Sequence, residues 1–295
     1  MQQTGASLAE RLRDGRFTLT AELDPPRAPD LSTLVEHARR LQPLVNALNV
    51  TDGSRARVRM AGLFASVALR QRLGVEVVAH LTTRDRNRIA LQADLLGAVA
   101  GGLRAVLVVT GDSPADGDEP EAKAVSDVDA AGIARLVSAL NSGRTSSGKR
   151  LDGATNLLVG GGTAPNADDL DKEVAKLRSR VEAGVRFCQT QPVYDVDRAL
   201  RFHELVRPLG IPILYGLLPL QSLEAATRFS RIPGMHVPDT ILRRLETGGD
   251  REGLAIAIET ARALAPHAAG LHVFPMGRLE TVAAIADAVA PWRVN

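Results

Sequence analysis

The sequence predicts a (β/α)8 barrel formed by one domain over residues 1–295. Three observations carry this prediction. Eight short apolar runs alternate with helix-period segments in a single order along the chain. No linker or internal repeat divides them. Polar and ionisable residues recur just beyond the apolar runs, at the strand ends where barrel enzymes build their sites. Successive strand–helix units imply parallel pairing through right-handed crossovers, and eight such units close a barrel. An open doubly wound sheet is the competing topology. It requires a reversal of strand order that the sequence does not display.

The first run, FTLTAE (17–22), puts Thr18, Thr20 and Glu22 on one face at period two and leads to Asp24 and Pro25-Pro26. A helix-period stretch over 31–42 follows. VNALNVT (45–51) ends on Thr51, Asp52 and Gly53, ahead of a helix over 57–72. RARVR (55–59), the densest basic stretch, reads as the solvated start of that helix. VEVVAHL (75–81) ends around His80, Thr82 and Thr83, before a helix over 88–101. RAVLVVT (104–110) ends on Thr110, Gly111 and Asp112. SPADGDEPEAK (113–123) then reads equally as a mobile lid or a solvated loop, and a helix over 128–140 comes after it. NSGRTSSGKR (141–150) reads as an exposed loop on the opposite, stability face. TNLLVG (155–160) ends in GGGT (160–163), whose glycines permit close backbone approach to a ligand, before a helix over 168–183. RFCQTQ (186–191) sets Gln189 and Gln191 on one face and Cys188 on the other, before a helix over 195–207. PILYGLL (212–218) precedes helical stretches over 221–230 and 238–266. GLHVF (270–274), with His272 and Phe274, precedes the last helix over 278–290.

Composition removes several function classes. The chain carries 36 Lys plus Arg against 34 Asp plus Glu, interspersed, so no basic block invites nucleic acid or a membrane surface. Aromatic residues make up 3%, too few for a base-stacking platform. The single cysteine excludes a disulfide framework and a cysteine metal site, and fits a reducing cytosol. No signal-peptide core and no run of 18 apolar residues is present, so the expected location is cytoplasmic.

The chemistry then rests on the strand tips. Glu22 aimed into a barrel mouth would be partly desolvated, raising its pKa into the range of a general acid; an ion pair with a neighbouring arginine is the alternative. His80 reads as a base, a binder or a satisfied core histidine. The six histidines are scattered, and no metal site is expected. The four lysines all lie away from strand ends, which disfavours a Schiff-base enzyme. Lys172, Lys176 and Arg180 form a stripe at i, i+4, i+8 that suits a diphosphate or, with Glu173 and Glu182 as counter-charges, an ordinary solvated face.

Seven stretches together resemble the methylenetetrahydrofolate reductase family over about residues 15–290. They are AELDPPR (21–27), NVTDGS (49–54), AHLTTRDRNRIALQADLLGA (79–98), VTGD (109–112), KLRSRVEAGVRFCQTQPVYD (176–195), YGLLPL (215–220) and IPGMHVPD (232–239). The likeness is closest to the reductase domain fused to homocysteine S-methyltransferase in bifunctional bacterial proteins. It implies a barrel that binds FAD and reduces 5,10-methylenetetrahydrofolate with NADH or NADPH. By the same resemblance Glu22 is the acid that opens the folate ring, Asp112 is the second catalytic residue at the flavin N1/C2 edge, and Asp112 and Gln191, with Gln189 beside it, hold the pterin. Thr51, His80, Thr82, Thr110, Gly111, Asp112, Lys176 and Arg180 take the flavin contacts. The chain departs from the family pattern in AELDPP (21–26), where FEFFPP is usual, at Thr110, where an arginine is usual, in VGGGTAPN (159–166), which lacks the usual aromatic, and in HVFPM (272–276), which replaces an aromatic F-Y-T. These departures keep open a flavin-free reductase and a folate-binding partner subunit. A methyltransferase, an electron-donor protein and a second copy of the chain are the partners to be considered. A barrel lyase acting on another small acid is the remaining alternative.

Overall fold

The computed structural model describes residues 6–231 and 234–293. Ile232 and Pro233, which open the IPGMHVPD stretch, lie outside them. The chain begins with α1 (Leu8–Arg13), then β1 (Thr18–Leu23), α2 (Ser32–Leu41), β2 (Ala47–Val50), α3 (Gly62–Leu73) and β3 (Val77–Thr82). It continues through α4 (Arg88–Ala100), β4 (Ala105–Val109), α5 (Ala130–Asn141), β5 (Leu158–Thr163), α6 (Leu170–Glu182) and β6 (Phe187–Pro192). It ends with α7 (Val196–Val206), β7 (Ile213–Leu217), α8 (Leu223–Phe229), α9 (Asp239–Leu264), β8 (Gly270–Val273) and α10 (Glu280–Ala288). All eight strands pair in parallel and in sequence order, and β8 returns to β1 to close the barrel.

Period-two alternation sorts the strand residues into two cores. Leu19, Ala21, Leu48, Val50, Val77, Ala79, Val106, Val108 and Cys188 point outward into the layer between barrel and helices. Burial there pushes the Cys188 thiol up to about 12, consistent with an inert packing role. Ala47, Val78, Ala105, Leu107, Phe187 and Leu214 fill the lower interior. Leu8 and Leu12 join this inner group, so α1 plugs the N-terminal end of the barrel. The helix is six residues long, but its Ser7–Glu10 capping box satisfies its first turn. Arg11 ties it to the Phe17 carbonyl at 2.8 Å.

Three expectations shift. The strand expected over 155–160 is β5, Leu158–Thr163, and the glycine run lies inside it. Thr155 and Leu157 instead bond the Asn141 side chain at 2.6 and 2.9 Å, which ties them to the end of α5. A Cβ on Gly160 would lie 2.4 Å from the Phe187 ring. That glycine makes room for a core aromatic rather than for a ligand. The helix expected from residue 57 starts at Gly62, so RARVR is a loop at the barrel mouth. The 113–123 segment is docked there as well: Asp118 pairs with Arg27 at 2.7 Å and accepts the Val58 N–H at 2.9 Å.

Candidate active site

A buried polar layer separates the apolar plug from the barrel mouth. Thr20, Asn49, His80, Gln189 and His272 enter it from five strands, each on the inward parity of its strand. Asn49 Nδ2 donates to Gln189 Oε1 at 2.7 Å and lies 3.0 Å from His80 Nε2. Gln189 Nε2 donates to Thr20 Oγ1 and to Asn49 Oδ1, both at 3.2 Å. Thr20 Oγ1 lies 2.8 Å from His272 Nδ1. Thr20 Oγ1 accepts from Gln189 and faces two acceptors for its own proton, His272 Nδ1 and, at 3.5 Å, the Leu271 carbonyl. Burial holds both imidazoles neutral, lowering His80 below its ordinary value and His272 to about 3.

Glu22 stands on this layer with its carboxylate 3.9 Å from His272 Nε2 and about one-fifth exposed to the mouth. Desolvation raises its pKa to about 7, against a weaker opposing pull from His80 and with added repulsion from Asp24 and Asp112. The arginine ion pair considered for Glu22 does not form: Arg59 pairs with Asp24 instead, at 3.0 Å. Glu22 is a protonatable acid beside a neutral imidazole.

Above it lies a chamber of about 470 Å3, the size of a small-ligand site. Glu22, His80, Thr110, Asp112, Gln191, Arg180 and Phe274 all line it. The sequence-predicted residues therefore converge, but several are already engaged. Thr51 donates to Asp24 at 2.5 Å, and Thr82 bonds Asp52 through both its N–H and its hydroxyl at 2.9 Å. Gln189 lines the chamber too, but it is 3% exposed and its amide is held by Asn49 and Thr20 as part of the floor. Gly111 adopts φ +87°, and a Cβ there would sit 3.1 Å from Thr82. It serves a left-handed turn packed on β3 and also lines the chamber. Lys176 is half-exposed and does not line the chamber. Gln191, exposed on a strand whose register shifts between Gln189 and Pro192, is placed to meet a ligand.

Four residues that bear on the site were not singled out as site residues from the sequence. Asn49 is the hub of the floor. Arg84, 8% exposed, bonds Asp85 and the carbonyls of Gly53 and Asp112, joining three exit loops. Arg86 forms an ion pair with Asp52. Glu173, 5% exposed, accepts from Thr163 and the Ala164 N–H and faces Lys176 and Arg180 at 3.4 and 4.0 Å. The TTRDR stretch carries a signal for the two arginines; nothing local marks Asn49.

FAD, which the resemblance implies, can be tested against this lining. Its diphosphate needs uncompensated cations, yet Arg180 is tied to the Gly162 carbonyl and faces Glu173, and Lys176 is paired with the same acid. The other ionisable side chains of the chamber wall are acids and histidines. Among the described residues Phe274 is the one Phe, Tyr or Trp lining the chamber, and it meets His272 in a T-shaped contact with ring centroids 4.5 Å apart. These residues do not fit the diphosphate and adenine of a tightly held FAD. Among the described residues, no cluster of three His, Cys, Asp or Glu side chains is placed to hold a metal, and no helix is long and apolar enough to cross a membrane.

The fold and site define a single-barrel enzyme with a protonatable carboxyl at the centre of a polar floor. Comparison with known proteins gives the family. The methylenetetrahydrofolate reductase family model matches residues 7–290, and the chain belongs to that family. It is 25% identical over 290 residues to the 5,10-methylenetetrahydrofolate reductase of Pectobacterium carotovorum, covering 95% of this chain and 91% of that one. The Salmonella typhimurium 5,10-methylenetetrahydrofolate reductase is 26% identical, with 79% and 74% covered. Methylenetetrahydrofolate reductase 2 of Schizosaccharomyces pombe is 24% identical over 81% of this chain, which spans only 38% of that longer protein. Among solved structures, tryptophan synthase from M. tuberculosis superposes with a TM-score of 0.57 at 15% identity, covering 98% of this chain and all of that one, a likeness of fold alone.

Proposed function

We propose that the chain reduces 5,10-methylenetetrahydrofolate to 5-methyltetrahydrofolate at the barrel mouth, with Glu22 as the acid and reduced nicotinamide as the hydride source. The observation that carries this reading is Glu22 itself, desolvated to a pKa of about 7 and open to the chamber. The substrate holds its methylene carbon between N5 and N10. The Glu22 carboxyl gives its proton to N10, the C–N10 bond breaks, and an N5 iminium forms. Hydride from the nicotinamide adds to the iminium carbon and gives the N5-methyl group. Glu22 is left as a carboxylate near the cation as it develops, and takes a proton back from solvent. Neutral His272, aligned by Thr20, keeps a positive charge away from that cation. Asp112 and Gln191 present an acceptor and an amide to the donor–acceptor edge of the pterin.

The lining supports direct transfer from nicotinamide better than transfer through FAD, because the cations a flavin diphosphate would use are held by Glu173. Purified protein made without added flavin is then colourless and still forms 5-methyltetrahydrofolate with NADH or NADPH. A yellow protein absorbing near ~450 nm, with turnover that depends on added FAD, supports the flavin reading instead. Tight folate binding without turnover under either condition supports a partner subunit.

A further inference from the structure

RARVR (55–59) takes no part in the reaction described above. It lies on the exit loop of β2, where Arg55 and Ala56 hold left-handed backbone angles, φ 57° and 50°. Two such non-glycine residues in succession persist only where the surroundings impose them. Asp112 Oδ2 accepts the Arg55 N–H at 2.6 Å, Asp118 Oδ2 accepts the Val58 N–H at 2.9 Å, and the Ala56 carbonyl accepts the Asp118 N–H at 3.2 Å. The strained loop is thereby held with Arg55 and Arg59 on the wall of a second cavity, about 340 Å3 in volume.

This cavity meets the chamber at Glu22, which lines both. Prolines and leucines, among them Pro25, Pro26, Leu34 and Pro275, supply apolar wall, and His37 of α2 lines the cavity together with the arginine loop. Arg59 is engaged by Asp24 and by the Pro25 carbonyl at 2.8 Å. Among the described residues, the exposed Arg55 guanidinium and the His37 ring have no hydrogen-bond or ion-pair partner. An apolar passage that starts at the acid and carries unmatched basic groups suits an aromatic ring followed by carboxylates.

We propose that this groove seats the aminobenzoyl-glutamate tail of the folate, with Arg55 and His37 as specificity residues for its carboxylates. The proposal rests on the folate reading above. N10, the atom placed at Glu22, is bonded directly to the aminobenzoyl ring, so the tail leaves the chamber past Glu22 and meets the groove in matching order. Reduced nicotinamide is also anionic, but its reacting carbon has to approach the methylene carbon from the chamber side.

Isothermal titration of 5-methyltetrahydrofolate carrying one or three glutamates, at low and high salt, tests this. The unmodified protein binds the triglutamate more tightly, and the advantage shrinks as salt rises. Arg55→Gln and His37→Gln each weaken triglutamate binding about fivefold and bring the two ligands closer together in affinity. The two variants lie on different elements, so a folding defect in one leaves the other informative. Variants that bind both folates like the unmodified protein overturn the groove assignment while leaving the folate reading standing. Variants whose only change is a raised KM for NADH or NADPH assign the groove to the dinucleotide and overturn it too. Failure of the unmodified protein to bind either folate overturns the folate reading, and the groove with it.

Discussion

Glu22 concentrates the chemistry of the site in one carboxyl group. Its substitution by glutamine keeps shape and removes the proton, so turnover falls by about 100- to 10,000-fold, measured as 5-methyltetrahydrofolate formed per enzyme. The same substitution changes stability with a sign fixed by linkage. Glu22 has a folded pKa of about 7, above its ordinary value of 4.5, so the folded state holds the proton more tightly. Stability is lost as pH rises between these values and stays lower above them. Glu22→Gln therefore raises the melting temperature at pH 8 relative to the unmodified protein, and the gain disappears near pH 4. The effect is at most about 3 kcal/mol, and less because the group is partly exposed. His272 works in the opposite sense: its pKa is depressed to about 3, so its contribution is present above about pH 6.5 and is lost as pH falls toward 3. Acid unfolding that shifts to lower pH in His272→Gln checks this. At this scale the sequence was legible in residue type and face. Strand-end position picks out Glu22, His80, Asp112 and Gln191, which line one chamber, and period-two alternation assigns a face to Glu22 and Gln191. What could not be read was engagement. Thr51, Thr82 and Gln189 have chemistry suited to a ligand, but Asp24 and Asp52 reach the two threonines from the neighbouring strand ends and Asn49 reaches Gln189 across the barrel.

Elements show a similar division. All eight strands and the helices between them follow from apolar periodicity, because that signal is the burial pattern itself. The plug helix α1 was not recognised. At six residues it is too short to show a period, although its Ser-x-x-Glu capping box is visible in the sequence. Leu8 is 1% exposed at the barrel base, and Leu8→Ala costs about 2–5 kcal/mol in chemical denaturation. The glycine run of β5 divides: Gly162 lines the chamber, whereas the space beside Gly160 is taken by another side chain, and only the fold says which group comes close to which glycine. At Gly160 it is the Phe187 ring, so Gly160→Ala overpacks the interior and costs about 1–3 kcal/mol in the same assay. RARVR was misplaced because helix propensity favours arginine and alanine, whereas carboxylates from the β4 exit loop capture the backbone N–H groups of Arg55 and Val58.

The whole molecule divides function along the barrel axis. The lower interior is apolar and plugged by α1, the middle is a polar layer drawn from five strands, and the mouth holds Glu22 between a chamber and a groove. Such an axial arrangement lets one fold supply rigidity at its base and adjustable chemistry at its loops. Family membership accounts for the conversion of methylenetetrahydrofolate, and the pairing of Lys176 and Arg180 with Glu173 supports the proposed transfer from nicotinamide without flavin. The most direct measurement is the pH dependence of 5-methyltetrahydrofolate formation from about pH 6 to pH 9, with reduced nicotinamide and no added flavin, for the unmodified protein and for Glu22→Gln. The account predicts turnover in the unmodified protein that declines about tenfold per unit above pH 7, and a low rate without that inflection in the variant. A variant matching the unmodified rate, or a folded protein that forms no product at any pH, contradicts it.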